Sequence, residues 1–244
     1  MNRFSKTIFA FLSIAVISPF GFADEIQRLQ VDLNGDNKVD IISIETTQTT
    51  NEGRSRLTIR IGESIYSDDF FSADGDLPDV RIVAIDRKRS QRQLLINTPE
   101  AGSCIFHVLA FSSQKLIRLL RYDSGPSCNA PIPLGNGQLS VSTWQGFWNR
   151  EDRYRLGRDG ESLIAEPAAT YPVLVSGAAG NSLVLQGAEC GKRTVKLGTF
   201  VRVKLFDVKN RRYRIESSDG ACGWIPAGKL DSMGESIKEL PWAG

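Results

Sequence analysis

The densest collection of chemically hard donors in this chain is Asp32-Leu33-Asn34-Gly35-Asp36-Asn37-Lys38-Val39-Asp40, which runs straight into the apolar segment Ile41-Ile42-Ser43-Ile44. Side-chain oxygens stand at relative positions 1, 3, 5 and 9, with a backbone carbonyl at 7. A short loop wraps a hard divalent cation such as Ca²⁺ with this spacing. Three carboxylates in one turn also repel each other unless a cation offsets them. The alternative is an ordinary Asn/Asp turn without an ion.

No comparable constellation for catalysis appears. The single histidine, His107, sits between Phe106 and Val108 in an apolar strand pattern and reads as a packed or edge residue rather than a general base. Asp68, Asp69, Asp74, Asp76 and Asp79 contain enough carboxylates for glycoside hydrolysis, but spacing alone does not set two of them across a cleft. They read as a solvated acidic turn, with a hydrolase as a lesser alternative. There is no phosphate-cradling glycine loop, and no two cysteines form a CxxC pair. The expectation is a protein that binds rather than catalyses.

One segment has the composition of an interface hot spot. Trp144-Gln145-Gly146-Phe147-Trp148-Asn149-Arg150 combines three aromatics with an arginine, and Trp144, Phe147 and Trp148 are candidate contact residues. The competing reading is an aromatic strand pair packed inside its own unit.

Residues 1–23 read as a secretory signal. Arg3 and Lys6 supply the positive start, Thr7 to Ile17 is apolar, and Gly21-Phe22-Ala23 offers a cleavage site after Ala23. The apolar run is about a dozen residues, short of the roughly 20 a membrane-spanning helix needs. Cleavage would remove two of the 30 basic residues and none of the 28 acidic ones, leaving a formally neutral chain. Neutrality argues against a nucleic-acid partner, which requires a basic face. Arg87-Lys88-Arg89 and Lys209-Asn210-Arg211-Arg212 are local basic clusters that read as solvated turns. Four cysteines in an exported chain point to disulfides in a periplasmic or secreted protein. Of the three pairings possible, chain order favours Cys104 with Cys128 and Cys190 with Cys222.

These residues have to be positioned by strands. Alternation at period two recurs, as in Leu57-Thr58-Ile59-Arg60-Ile61, Arg81-Ile82-Val83-Ala84-Ile85 and Val201-Arg202-Val203-Lys204-Leu205, while helical spacing is nearly absent. Asp74-Gly75-Asp76, Asn136-Gly137, Asp159-Gly160 and Asp219-Gly220 punctuate the runs. Ser113 to Leu120 reads as strand like its neighbours. The fold class is therefore all-β. A loose repeat links Asp32-Leu33-Asn34-Gly35-Asp36, Asp86-Arg87-Lys88-Arg89 and Gly135-Asn136-Gly137, each leading into a strand and spaced about fifty residues apart. That is the range of a four-stranded propeller blade. A linker is expected over Leu163 to Pro172, dividing a domain of residues 24–165 from a smaller one of 170–232, with a tail at 233–244. About sixty residues is little for a free-standing core, and a Cys190–Cys222 bridge would staple it.

Two resemblances sharpen this reading. The segment DLNGDNKVDII resembles the cation loops of FG-GAP and VCBS-type β-propeller repeats. That resemblance implies a partial or irregular propeller. It makes Asp32, Asn34, Asp36 and Asp40 side-chain ligands of Ca²⁺, and Lys38 a ligand through its carbonyl. Asn37 stands where that family prefers Gly, which demands a positive φ that Asn tolerates. The segment from Lys196 to Leu230 is similar to bacterial SH3-like domains, which implies a small β-barrel in which Tyr213 and Trp224 line a groove. Together they imply an exported, calcium-stabilised binding protein contacting a protein or cell-wall component. The alternative is a periplasmic inhibitor or immunity protein against a peptidoglycan-degrading enzyme.

Overall fold

The computed structural model describes residues 25–48, 54–71, 77–100, 102–187, 189–230 and 236–241. The signal segment 1–23, Asp74, Asp76 and parts of the tail 233–244 lie outside them. Among the described residues the chain is all-β, with two single-turn 3-10 segments at Gly125–Ser127 and Ala227–Lys229.

Three four-stranded antiparallel meanders follow one another. The first is β1 (Glu25–Val31), β2 (Asp40–Gln48), β3 (Arg54–Ile61) and β4 (Ser64–Phe71). The second is β5 (Asp79–Val83), β6 (Gln93–Glu100), β7 (Ser103–Ser112) and β8 (Lys115–Asp123). The third is β9 (Ile132–Pro133), β10 (Gln138–Trp144), β11 (Asn149–Leu156) and β12 (Leu163–Glu166). Each of the three turns aligned in the sequence joins the first strand of a meander to its second. Ser113 to Leu120 lies in the β7–β8 hairpin and its second strand.

The alternation decides which face each sheet buries. In the first sheet Ile42, Ile44, Leu57, Ile59, Ile61 and Phe70 face Leu94, Ile96, Leu109 and Phe111 of the second. The other face of the second sheet, with Leu95, Phe106 and Val108, meets Leu139, Val141 and Leu156 of the third. A strand covered on both faces cannot alternate. β7 accordingly buries every residue from Ile105 to Phe111.

The C-terminal part is a five-stranded sheet in the order β18-β17-β16-β13-β19 with a two-stranded ribbon, β14-β15. Its strands are β13 (Thr170–Ala179), β14 (Leu183–Val184), β15 (Thr194–Val195), β16 (Phe200–Asp207), β17 (Arg212–Ser217), β18 (Cys222–Pro226) and β19 (Ile237–Lys238). The stretch Leu163 to Pro172, expected as a linker, is mostly strand. Leu163–Glu166 is strand β12, paired with β11, and β13 begins at Thr170. Local composition around Pro167 hides this, because β12 is short and its pairing partner supplies the order.

Both expected disulfides are formed, Cys104–Cys128 and Cys190–Cys222. The first ties β7 to the connection that enters β9, and the second ties the segment after β14 to β18.

Candidate functional site

The oxygen-rich turn between β1 and β2 is built by its own side chains. Asp32 Oδ1 accepts hydrogen bonds from the backbone N–H of Gly35 at 2.7 Å and Asp36 at 3.1 Å, and its Oδ2 accepts from Asn37 N at 2.8 Å. Asn34 Oδ1 accepts from Asp36 N, Asp36 Oδ1 from Lys38 N, and Asp40 Oδ2 from Leu33 N. Asn37 takes the positive φ expected of it, 64°. The residue types suit a hard cation. The side chains, however, are turned onto backbone amides, and among the described residues no three His, Cys, Asp or Glu side chains converge into a metal-holding group. A cation here would share the Asp32 oxygens with those amides.

This turn is the first of a row. Arg92 N donates to Leu33 O at 2.8 Å, and Ser90 Oγ donates to Gly35 O at 3.3 Å, joining the first turn to the second. Arg87 N donates to Gly135 O at 3.0 Å, and Gly137 N to Ile85 O at 2.9 Å, joining the second to the third. Within the second turn, Arg92 Nη1 donates to three successive carbonyls, those of Arg89, Ser90 and Gln91, at 2.7–3.0 Å. A guanidinium thus provides the positive centre there. Arg87 and Lys88 stay exposed at this rim.

The aromatic candidates go elsewhere. Phe147 and Trp148, in the β10–β11 turn, are 0% and 3% exposed and belong to the core of the C-terminal sheet. Trp148 Nε1 donates to Tyr213 OH at 3.2 Å, and its ring lies 5.8 Å from Phe206 and 6.4 Å from Tyr213. Phe147 stands 5.4 Å from Tyr213. Tyr213 is itself buried. These three rings are buried and join the third meander to the C-terminal sheet in one core. Trp144 is half-buried, with its Cβ in the space a side chain at Gly125 would need.

Trp224, like Trp144, is half-buried. Arg212 lies over its ring at 4.3 Å, and its Nε1 donates to Glu189 at 3.2 Å. Arg214, then Trp224, hold the Glu189 carboxyl below the usual range by hydrogen bonding to the ionised form.

Sequence reasoning left His107 without partners. In the structure it is fully buried between the first and second sheets, with Nδ1 3.0 Å from Tyr66 OH and Nε2 3.2 Å from Asp68 Oδ2. A carboxylate only accepts, so Nε2 carries the proton and Nδ1 accepts from the tyrosine. Burial holds the His107 pKa down at about 4, against the raising effect of Asp68. The signal that finds this site is pattern: Tyr66 and Asp68 occupy core-facing positions of β4 together with Phe70. Asp69, next in the strand, points to the opposite face and pairs with Arg56 at 2.7 Å, while Asp79 pairs with Arg81. Adjacent strand residues cannot share a cleft.

Neither a family model, nor a curated protein, nor a solved structure matches this chain. What stands on the molecule alone is a chain that is all-β over the described residues, with two disulfides compatible with an oxidising compartment. Among the described residues no helix is long and apolar enough to cross a membrane.

Proposed function

We propose that this chain is an exported, non-enzymatic binding protein in which Ca²⁺ stiffens the rim of turns that meets a protein or cell-wall component. In this reading the three meanders are blades of a partial propeller, and the C-terminal sheet is an SH3-like module. Asp32, Asn34, Asp36, Asp40 and the Lys38 carbonyl hold the ion, whose charge offsets the three carboxylates of the turn.

The observation that carries this reading is the run of hydrogen bonds from turn to turn along one end of the stacked sheets. Order imposed on the first turn passes directly to the second and third. Loops held on a rigid scaffold are where binding surfaces are built.

The test is thermal and urea unfolding of the purified chain in Ca²⁺ and in chelator, beside the Asp32→Ala/Asp36→Ala double variant. Asp32→Ala also removes three backbone contacts, so the readout is the increment Ca²⁺ adds to each protein rather than its absolute stability. At a hundredfold excess over the dissociation constant that increment is about 2.7 kcal/mol for the parent chain and nil for the variant. Equal behaviour of the parent chain in Ca²⁺ and chelator defeats the reading. With Ca²⁺ bound, retention on isolated cell walls that the double variant loses supports the wall as the partner.

A further inference from the structure

In a regular strand Arg118 and Arg121 would point to opposite faces of β8, because three positions separate them and side chains alternate. The register sets them on the same face. β8 pairs Arg121 with His107, Leu120 with Val108 and then Arg118 with Leu109, so Leu119 is an extra residue in the ladder. Leu119 and Leu120 both turn to the core shared with the third meander. The two arginines are left on the face of His107 and Leu109, which looks towards the first sheet. A β-bulge re-aims side chains in this way and is frequent beside functional sites.

Across the seam, the edge strand β4 presents Tyr66 and Asp68. The groups then connect in one direction. Arg118 donates a hydrogen bond to the Tyr66 oxygen, Tyr66 O–H donates to His107 Nδ1 at 3.0 Å, and His107 Nε2–H donates to Asp68 Oδ2 at 3.2 Å. Arg121 Nε stands 3.8 Å from the same Asp68 oxygen, beyond hydrogen-bond distance. The Asp68 carboxylate is thus committed to the imidazole, and Arg121, 47% exposed, keeps its donors open to solvent. Arg118 is exposed and anchored to a neutral hydroxyl, and no ion pair among the described residues includes it. With His107 neutral, two guanidinium charges face one carboxylate, and one positive charge is left over.

We propose that Arg118 and Arg121 form a receptor for a peptide carboxylate at the seam between the first and second sheets. The surplus of one charge matches a monoanion, whereas a phosphate monoester would bring a second negative charge up to Asp68. The planar guanidinium forks match the two oxygens of a carboxylate. The two arginine rows lie about 7 Å apart along β7, within the span over which two such long side chains converge on one group. Tyr66 holds Arg118 in place beforehand, which lowers the ordering cost of binding. β4 and β8 are the last strands of their sheets, so the site opens sideways to solvent. It takes a charged group projecting from a larger chain rather than a small molecule enclosed in a cavity. This site lies on strands rather than on the rim of turns, and it stands or falls whether or not the oxygen-rich turn holds Ca²⁺.

The test uses the full chain and its single histidine, whose imidazole gives one set of ring signals in NMR. N-acetylglycine serves as the minimal peptide carboxylate, with its neutral methylamide and methyl phosphate as controls. N-acetylglycine should move the His107 ring signals and the amide signals of Arg118 to Arg121 saturably, with a Kd on the order of 1 mM for so few ligand atoms. The methylamide and methyl phosphate should bind roughly tenfold more weakly or not at all, and Arg118→Gln and Arg121→Gln should each weaken N-acetylglycine roughly tenfold. Both arginines are exposed, so these variants fold. Arg60→Gln, an exposed arginine on the outer face of the first sheet, should leave the affinity unchanged. The proposal is overturned by the absence of saturable shifts, by either control ligand binding as tightly as N-acetylglycine, by unchanged affinity in Arg118→Gln or Arg121→Gln, or by an equal loss in Arg60→Gln.

Discussion

Trp148 offers the sharpest check on how this molecule is held together. It comes from the β10–β11 turn, yet its ring is 3% exposed among Tyr171, Phe206 and Tyr213 of the C-terminal sheet. Trp148→Ala removes a buried indole, which costs about 3–5 kcal/mol in transfer and cavity terms. It also removes the Nε1 hydrogen bond to Tyr213, worth about 1 kcal/mol. The sum, about 4–6 kcal/mol, is comparable with the whole stability of a modest domain. Trp148→Phe keeps most of the volume and loses the hydrogen bond and some contact, for about 1–2 kcal/mol. Urea unfolding followed by far-UV circular dichroism and by tryptophan fluorescence reads both variants. The parent chain should unfold in one transition, because the rings of one part complete the core of the other. Trp148→Ala should split it, with the C-terminal sheet melting first. A loss below about 1 kcal/mol, or a single unshifted transition in Trp148→Ala, would refute the shared core as the source of cohesion.

Acid should weaken the chain through His107. Its folded pKa of about 4 lies below the ordinary 6.5, so the folded state favours the neutral ring. That contribution is complete above pH 6.5 and is lost as pH falls towards 4, at about 1.4 kcal/mol per unit and about 3 kcal/mol in all. Urea unfolding between those limits should show a steeper loss for the parent chain than for His107→Gln; parallel curves would contradict the prediction. Gly35→Ala should destabilise by about 1–2 kcal/mol in thermal melts, because a side chain there must hold a left-handed backbone. Gly35 has φ 80°, and a Cβ would lie 2.2 Å from Ser90 Oγ. Ser90→Ala should recover part of that loss, and no recovery would place the whole cost in the backbone.

Local pattern carried a good deal of this molecule. The period-two alternation of Leu57 to Ile61 is a strand that buries alternate residues, because a pleated chain puts successive side chains on opposite faces. Asn37 adopts the positive φ that its place in the turn demanded. Cys104 found Cys128, and Cys190 found Cys222, where short chain separation made closure cheap. The loose fifty-residue repeat became three successive four-stranded meanders. The alternation and the turn conformation are properties of neighbouring residues, so the sequence alone determined them.

Tertiary structure decided what faces what. Trp148 has the composition of a contact residue, and only packing against Tyr213, 65 positions away, makes it core. His107 meets Tyr66 across 41 positions, a partnership that no spacing rule encodes. Glu166 reads as a strand breaker beside Pro167, yet Leu163–Glu166 is ordered by pairing with β11. Asp79 and Arg81 stand beside Asn97 only because the register of β5 on β6 aligns them. Sequence periodicity says which face of an element is apolar. Which partner covers that face is chosen by the burial and hydrogen bonding of residues far apart in the chain, and that is a sum over the whole fold.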